Sequence, residues 1–154
     1  MTINIVLPKV YFYNEKILDS EGKITKRVST GLENVLYAYS IFVPEYARVH
    51  DNNPKNFIIE KAYLIGSAVR QSRIDSDLDL MLIAPNIDET AERDIKVWLN
   101  ILFYNNIPKN KAIDAYVRPF DKFPERPSHD ITTQVKKLLK EYNKRLVTYK
   151  NKQF

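Results

Sequence analysis

Two aspartates, Asp77 and Asp79, stand two residues apart at the start of an apolar run that continues to Ile83. Residues two apart in a β-strand point to the same face, so both carboxylates emerge together while the leucines between them face the other way. Two like charges this close repel each other unless a cation lies between them. Carboxylate oxygens are ligands that Mg²⁺ prefers, so the pair predicts a divalent metal site. The alternative, a solvated pair at a strand start, is disfavoured because the pair opens the most apolar strand of the chain.

Gly66 and Ser67 lie between a strand predicted over 57–65 and a short helix predicted over 67–73. Glycine lets the backbone approach a ligand closely, and the N–H groups of a helix N-terminus favour an anion. The hydroxyl of Ser67 adds a donor, so this junction predicts a phosphate site. Arg70 follows in the same predicted helix, where an exposed arginine explains it without any ligand.

Asp114 interrupts a third apolar run, which extends from 112 to 117. A carboxylate in an apolar strand is costly unless it is paired or bound to a metal. Asp114 is therefore a third candidate metal ligand, and an edge-strand aspartate facing water is the alternative.

The elements around these residues alternate in a way that predicts an α+β fold, a mixed β-sheet covered by helices. Residues on either side of a turn at 19–23 read as a hairpin, and a capping box at Thr30 predicts the start of a helix. Further strands are predicted over 57–65, 77–84 and 112–117, and further helices over 88–105 and 130–149. We therefore expect one domain, with a hairpin extension (1–29), a core (30–118) and a C-terminal helix (128–150).

The composition narrows the function classes. The 154 residues include no cysteine, which excludes disulfides, zinc–thiolate sites and thiol nucleophiles. No signal peptide and no membrane-spanning run is apparent, so we expect a cytoplasmic location and no membrane partner. Residues 121–154 hold nine basic and four acidic residues, which accounts for the whole net charge of +5. The basic C-terminal helix is a candidate for nucleic-acid contact, but a solvated helix face is the stronger interpretation.

The motif residues resemble a known signature. Ile65-Gly66-Ser67, nine residues, and then Asp77-Leu78-Asp79-Leu80 resemble the nucleotidyltransferase superfamily that includes DNA polymerase beta, the CCA-adding enzymes and the minimal nucleotidyltransferases of prokaryotes. Asp114 matches the third carboxylate of that family, and the resemblance covers about residues 57–118. Many minimal members carry a second glycine where this chain has Gln71, and their connecting loop is often one residue longer. Both departures concern the triphosphate pocket and not the metal site.

The resemblance implies transfer of a nucleoside monophosphate from an NTP, expected to be ATP, to an acceptor hydroxyl with release of pyrophosphate. Asp77 and Asp79 would bridge two Mg²⁺ ions, with Mn²⁺ as the alternative ion. Asp114 would hold one of them or act as the general base. Gly66 and Ser67 would hold the outer phosphates, with Arg70 as a further phosphate contact. The acceptor is expected to be a nucleic acid, a protein or a small molecule.

Two other function classes stay open. The chain could be a regulatory or antitoxin-like protein that binds a small helical partner or a second copy of itself. It could also be a nucleic-acid-binding module without catalysis. The presence of all three aspartates favours the enzyme.

Overall fold

A computed structural model of the chain describes residues 18–66, 77–120 and 128–148. The helices in these ranges are α1 (Lys26–Val49), α2 (Glu89–Phe103) and α3 (Lys136–Thr148), with a short 3₁₀ helix at Pro54–Phe57. The strands are β1 (Lys61–Ile65), β2 (Leu78–Ile83), β3 (Ile113–Arg118) and β4 (Ser128–Asp130). The fold is α+β with a mixed open sheet, as the sequence predicts. Among these elements no helix combines the length and apolar character that crossing a membrane requires.

The four strands form one sheet in the order β3-β2-β1-β4. β2 runs parallel to β3 and antiparallel to β1, and β4 pairs antiparallel with the other side of β1. The parallel pair sets Asp79 directly beside Asp114. Partners in adjacent strands point to the same face, so this register brings the two aspartates together.

The alternation along β2 separates a large core from a small one. Leu78, Leu80 and Leu82 are buried on the face that α1, α2 and α3 cover. On the opposite face, Met81 and Ile83 belong to a second buried cluster with residues of β1. A strand buried on both faces reads as a nearly continuous apolar run, which is why β2 stands out in the sequence.

The first helix begins earlier than the sequence predicts. The capping box at Thr30 and the hairpin strand before it are wrong, because α1 starts at Lys26 with Thr25 as the N-cap. Val28 is fully buried one turn before Leu32, so the apolar stripe of the helix extends back through the region expected to be a strand. The described part of the hairpin is a single bridge between Leu18 and Ile24, and its other strand lies outside the described residues.

Pro44 lies within α1. A proline removes one hydrogen bond from a helix interior. Val43 and Ala47 on either side are fully buried, and this burial continues the helix to Val49.

The other element boundaries differ modestly from expectation. α2 agrees well, because the Asp88 side chain accepts a hydrogen bond from the Ala91 N–H and starts the helix. The strand expected over 57–65 begins only at Lys61, and the C-terminal helix begins at Lys136. β4 precedes that helix and is not predicted at all, because three edge residues are too few to show a period-two pattern. The four lysines of 136–144 are exposed, so this helix has a solvated basic face.

Candidate metal centre

Three carboxylates meet at one position on the sheet. Asp77, Asp79 and Asp114 each offer an oxygen that lies within 4.8 Å of the other two, and all three side chains are partly buried. Asp77 precedes β2, and Asp79 follows two residues later on the same face. The parallel register adds Asp114 from β3. The structure therefore brings together all three aspartates that the sequence singles out.

Gly66 contributes to this centre by having no side chain. Its backbone has a φ of +63°, a conformation that favours glycine. A Cβ atom at this position would lie 2.6 Å from Oδ2 of Asp79, which is closer than real Cβ contacts come. The exit of β1 can therefore pass directly over the Asp79 carboxylate. Ser67 and Arg70, the other expected phosphate contacts, lie outside the described residues, as does Gln71.

A lysine that the sequence analysis missed touches the third carboxylate. Lys96 of α2 forms an ion pair with Oδ1 of Asp114 and donates to the Ala115 carbonyl at 3.3 Å. Its ammonium also lies 3.5 Å from the centroid of the Tyr116 ring. The Tyr116 hydroxyl lies 3.4 Å from the other oxygen of Asp114, in position to donate to it. Asp114 is thus contacted on both of its oxygens.

Lys96 belongs to one flank of α2 that follows the edge of the sheet. Glu92 lies one turn before it and accepts a hydrogen bond of 3.1 Å from Nε of Arg118. In the sequence, Glu92 and Lys96 have the spacing of an ordinary surface pair on a helix. In the structure each pairs with β3 instead. The only sequence signal was their position next to the buried stripe of Ile95 and Leu99, which does not distinguish the two cases.

A second basic group, Arg27 of α1, interacts electrostatically with Asp77. Burial lowers the pKa of the Arg27 guanidinium, and the negative charge of Asp77 opposes that shift. Arg27 lines a cleft of about 480 Å³ at the start of α1, together with Lys26 and Lys111. Basic side chains from both α1 and α2 therefore interact with carboxylates of this centre.

A larger cleft of about 700 Å³ opens beside Asp114. Lys96 and Tyr116, which both contact Asp114, form part of its wall, and Arg118 and Phe120 extend it. The Arg118 guanidinium lies 5.1 Å from the centroid of the Phe120 ring, and that ring is about half exposed. Two side chains that contact the third carboxylate therefore also line this cleft.

The chemistry of the donor set fits a hard divalent cation. All three side chains offer carboxylate oxygens, which Mg²⁺ and Mn²⁺ bind readily. Mg²⁺ keeps several waters or substrate phosphates among its six ligands, so three protein carboxylates are a sufficient set. Because Gly66 has no Cβ, the Asp79 carboxylate can occupy its position among these three donors.

No protein-family model matches the chain, and no curated protein or solved structure shows significant similarity to it. The resemblance to nucleotidyltransferases therefore depends on the motif residues alone. Function has to be argued from the geometry and chemistry of the site.

Proposed function

We propose that the chain has the nucleotidyltransferase fold and is a Mg²⁺-dependent nucleotidyltransferase. It would move a nucleoside monophosphate from an NTP to an acceptor hydroxyl. The observation that carries this proposal is the meeting of Asp77, Asp79 and Asp114 within 4.8 Å on a parallel strand pair. Their order and spacing after Gly66 are those of the signature that the sequence resembles.

Each of the three aspartates has a role in the proposed reaction. Asp77, Asp79 and Asp114 would hold the metal, which when bound supplies charge stabilisation for the transferring phosphoryl group and lowers the pKa of the acceptor hydroxyl. The acceptor oxygen forms the new bond to the α-phosphorus while the bond to pyrophosphate breaks. Asp114 contacts Lys96 and Tyr116, which line the larger cleft, and would be the carboxylate that receives the acceptor proton. Most of the rate enhancement would come from positioning and electrostatics.

The larger cleft is the space we assign to the acceptor. Its wall includes Lys96 and Tyr116, which both contact Asp114, so an acceptor lying in it would be one side chain away from that carboxylate. Phe120 offers a ring face on which a planar group can stack.

The test is transfer of label from each of four α-labelled NTPs, with Mg²⁺ or Mn²⁺, to pooled RNA, DNA or protein. We expect transfer by the native chain and its loss in the double variant Asp77→Asn/Asp79→Asn. The matched control is Asp51→Asn/Glu60→Gln, which removes two exposed carboxylates away from the centre and should transfer normally. Transfer that survives the first double variant would refute the proposal. So would a chain that neither transfers label nor binds any NTP in a metal-dependent way.

A second candidate is a protein that acts by binding a partner. Tyr37 and Ile41 lie one turn apart on α1, and Val97 and Ile101 lie one turn apart on α2, and each is more than half exposed. Such side chains mark contact surfaces when they form a patch. Light scattering on the purified chain would show a stable dimer at micromolar concentration if a second copy covers them, and a monomer would count against self-association.

A further inference from the structure

Lys96 is held more firmly than a surface lysine. Its ammonium contacts the Asp114 carboxylate, the Ala115 carbonyl at 3.3 Å and the Tyr116 ring at 3.5 Å. Only about a quarter of its side chain is exposed. An ammonium with a carboxylate, a carbonyl and an aromatic face around it has few alternative positions. It is a cation built into the wall of the acidic centre.

The contacts of Asp114 restrict this carboxylate in turn. Lys96 holds one of its oxygens, and the Tyr116 hydroxyl faces the other at 3.4 Å. Among the described residues, the ion pair of Lys96 is the one with Asp114. Lys96 therefore acts on the third carboxylate specifically, fixing its orientation and cancelling part of its charge.

We propose that Lys96 is a positioning residue of this centre, and that it keeps the affinity of the three aspartates for a free divalent cation low. Tight binding of the metal then requires the additional oxygens of a triphosphate. This proposal depends on the proposed function, because it concerns the same three carboxylates. It goes further by assigning nucleotide-dependent metal occupancy to one side chain.

The size of the effect follows from Coulomb's law. A unit charge at roughly 5 Å from a bound divalent cation, in a partly exposed site with an effective dielectric constant of about 50, changes the binding constant by about a hundredfold. Removing the Lys96 charge should therefore tighten divalent binding by about a hundredfold in the absence of nucleotide. The increase in divalent-cation affinity that added nucleotide causes should become smaller at the same time.

The experiment is a Mn²⁺ titration of the full chain followed by electron paramagnetic resonance, with and without a non-hydrolysable NTP analogue. Lys96→Met keeps the length and apolar contacts of the side chain and removes its charge. Lys96→Arg keeps the charge and should bind Mn²⁺ within about twofold of the native chain. Arg93→Met is the matched control, because it removes a cation from the same helix at a largely exposed position. It should also leave the affinity within about twofold.

A double-variant cycle connects the effect to the carboxylate. In an Asp114→Asn background, Lys96→Met should tighten Mn²⁺ binding by less than in the native background, because only the direct repulsion between Lys96 and the metal is left to remove. A purely structural ion pair would change the melting temperature without this pattern of metal affinities. Melting curves of every variant show which are folded, and Lys96→Gln replaces Lys96→Met if the latter is not.

The outcomes separate the two proposals. If Lys96→Met leaves Mn²⁺ binding unchanged or weakens it, while Asp79→Asn abolishes binding, the role of Lys96 is refuted and the metal centre stands. If Arg93→Met tightens binding as much as Lys96→Met, the effect is one of net charge and the role of Lys96 is again refuted. If the native chain binds no Mn²⁺ that Asp79→Asn removes, the metal centre fails, and with it both proposals.

Discussion

Replacing Gly66 by alanine tests how the acidic centre is built. The substitution adds one methyl group at a backbone φ of +63°, directed at Oδ2 of Asp79 from 2.6 Å. Ordinary contact at a Cβ begins at 3.4 Å, so the oxygen must retreat by about 0.8 Å. Asp79 can do so by rotating its side chain, which moves its carboxylate away from Asp77 and Asp114.

Two free-energy terms follow from this geometry. An L-residue in the left-handed region is less stable than glycine by about 1–2 kcal/mol. Turning Asp79 off its preferred rotamer adds about 0.5–1.5 kcal/mol. A displacement near 1 Å in a catalytic group lowers a rate by roughly a hundredfold. Gly66→Ala should therefore destabilise the chain moderately and reduce nucleotidyl transfer much more.

Gly22 provides the matched control. It also has a positive φ, +78°, but among the described residues a Cβ there would meet only a carbon of His129, at 3.9 Å. Gly22→Ala should show the backbone term alone, with transfer and Mn²⁺ binding unchanged. Urea unfolding of both variants measures the two stability losses, and their difference isolates the contact with Asp79.

The contact can also be tested without any activity. In an Asp79→Ala chain the nearest side-chain atom left at position 79 is the Cβ, 3.7 Å from the added methyl, which is an ordinary contact. The penalty of Gly66→Ala should then fall to that of Gly22→Ala. The reasoning is wrong if Gly66→Ala is no more destabilising than Gly22→Ala in the native background and leaves Mn²⁺ binding intact.

Three further predictions concern stability. Burial, followed by the hydrogen bond to Asp94, raises the pKa of Tyr46 to about 12. The stabilisation that Tyr46 provides is therefore complete below about pH 10 and is lost as the pH rises towards about 12. Between about pH 9 and 11.5, the free energy of unfolding in urea should fall less in Tyr46→Phe than in the native chain. The Asn143 side chain accepts a hydrogen bond of 2.9 Å from the Ile59 N–H and donates one of 2.8 Å to the Ile59 carbonyl. Asn143→Ala should therefore lower the free energy of unfolding in urea by about 1–3 kcal/mol, and a smaller loss would contradict this. Chelation with EDTA should leave the unfolding midpoint of the purified chain unchanged, whereas saturating Mg²⁺ should raise it. A chain that unfolds in EDTA would show that Lys96 and Arg27 do not offset the charges of the three aspartates.

The sequence predicts the acidic centre well because each step uses short-range information. Alternation along a strand places Asp77 and Asp79 on one face, and the apolar runs around Asp79 and Asp114 identify two buried strands. The parallel register that joins those strands is not visible in either run. It follows from burying the leucines of β2 and the apolar residues of β3 on the same side of the sheet. The resemblance to a known signature supplied the expectation that the third aspartate joins the other two.

The parts that the sequence did not predict depend on tertiary contacts. Ile24 to Val28 read as a strand because β-branched residues are frequent there, yet burial of Val28 against the core extends α1 through its later part. β4 is defined by the pairing of its three residues with β1, which is a contact between distant parts of the chain. Lys96 looks like any lysine on a helix, and only the packing of α2 against the edge of the sheet brings it to Asp114.

β3 is the outermost described strand on its side of the sheet, and this position lets α2 contact side chains on both faces. α2 buries Ile95 and Leu99 in the large core, on the side of the sheet opposite to the aspartates. Among the described residues no strand lies beyond β3, so the flank of α2 can reach around this strand and place Lys96 against Asp114. A strand added beyond β3 would separate the helix from that carboxylate. The same edge leaves the larger cleft open beside Lys96 and Tyr116, so the element that balances the charge of the centre also borders the space through which a substrate would reach it.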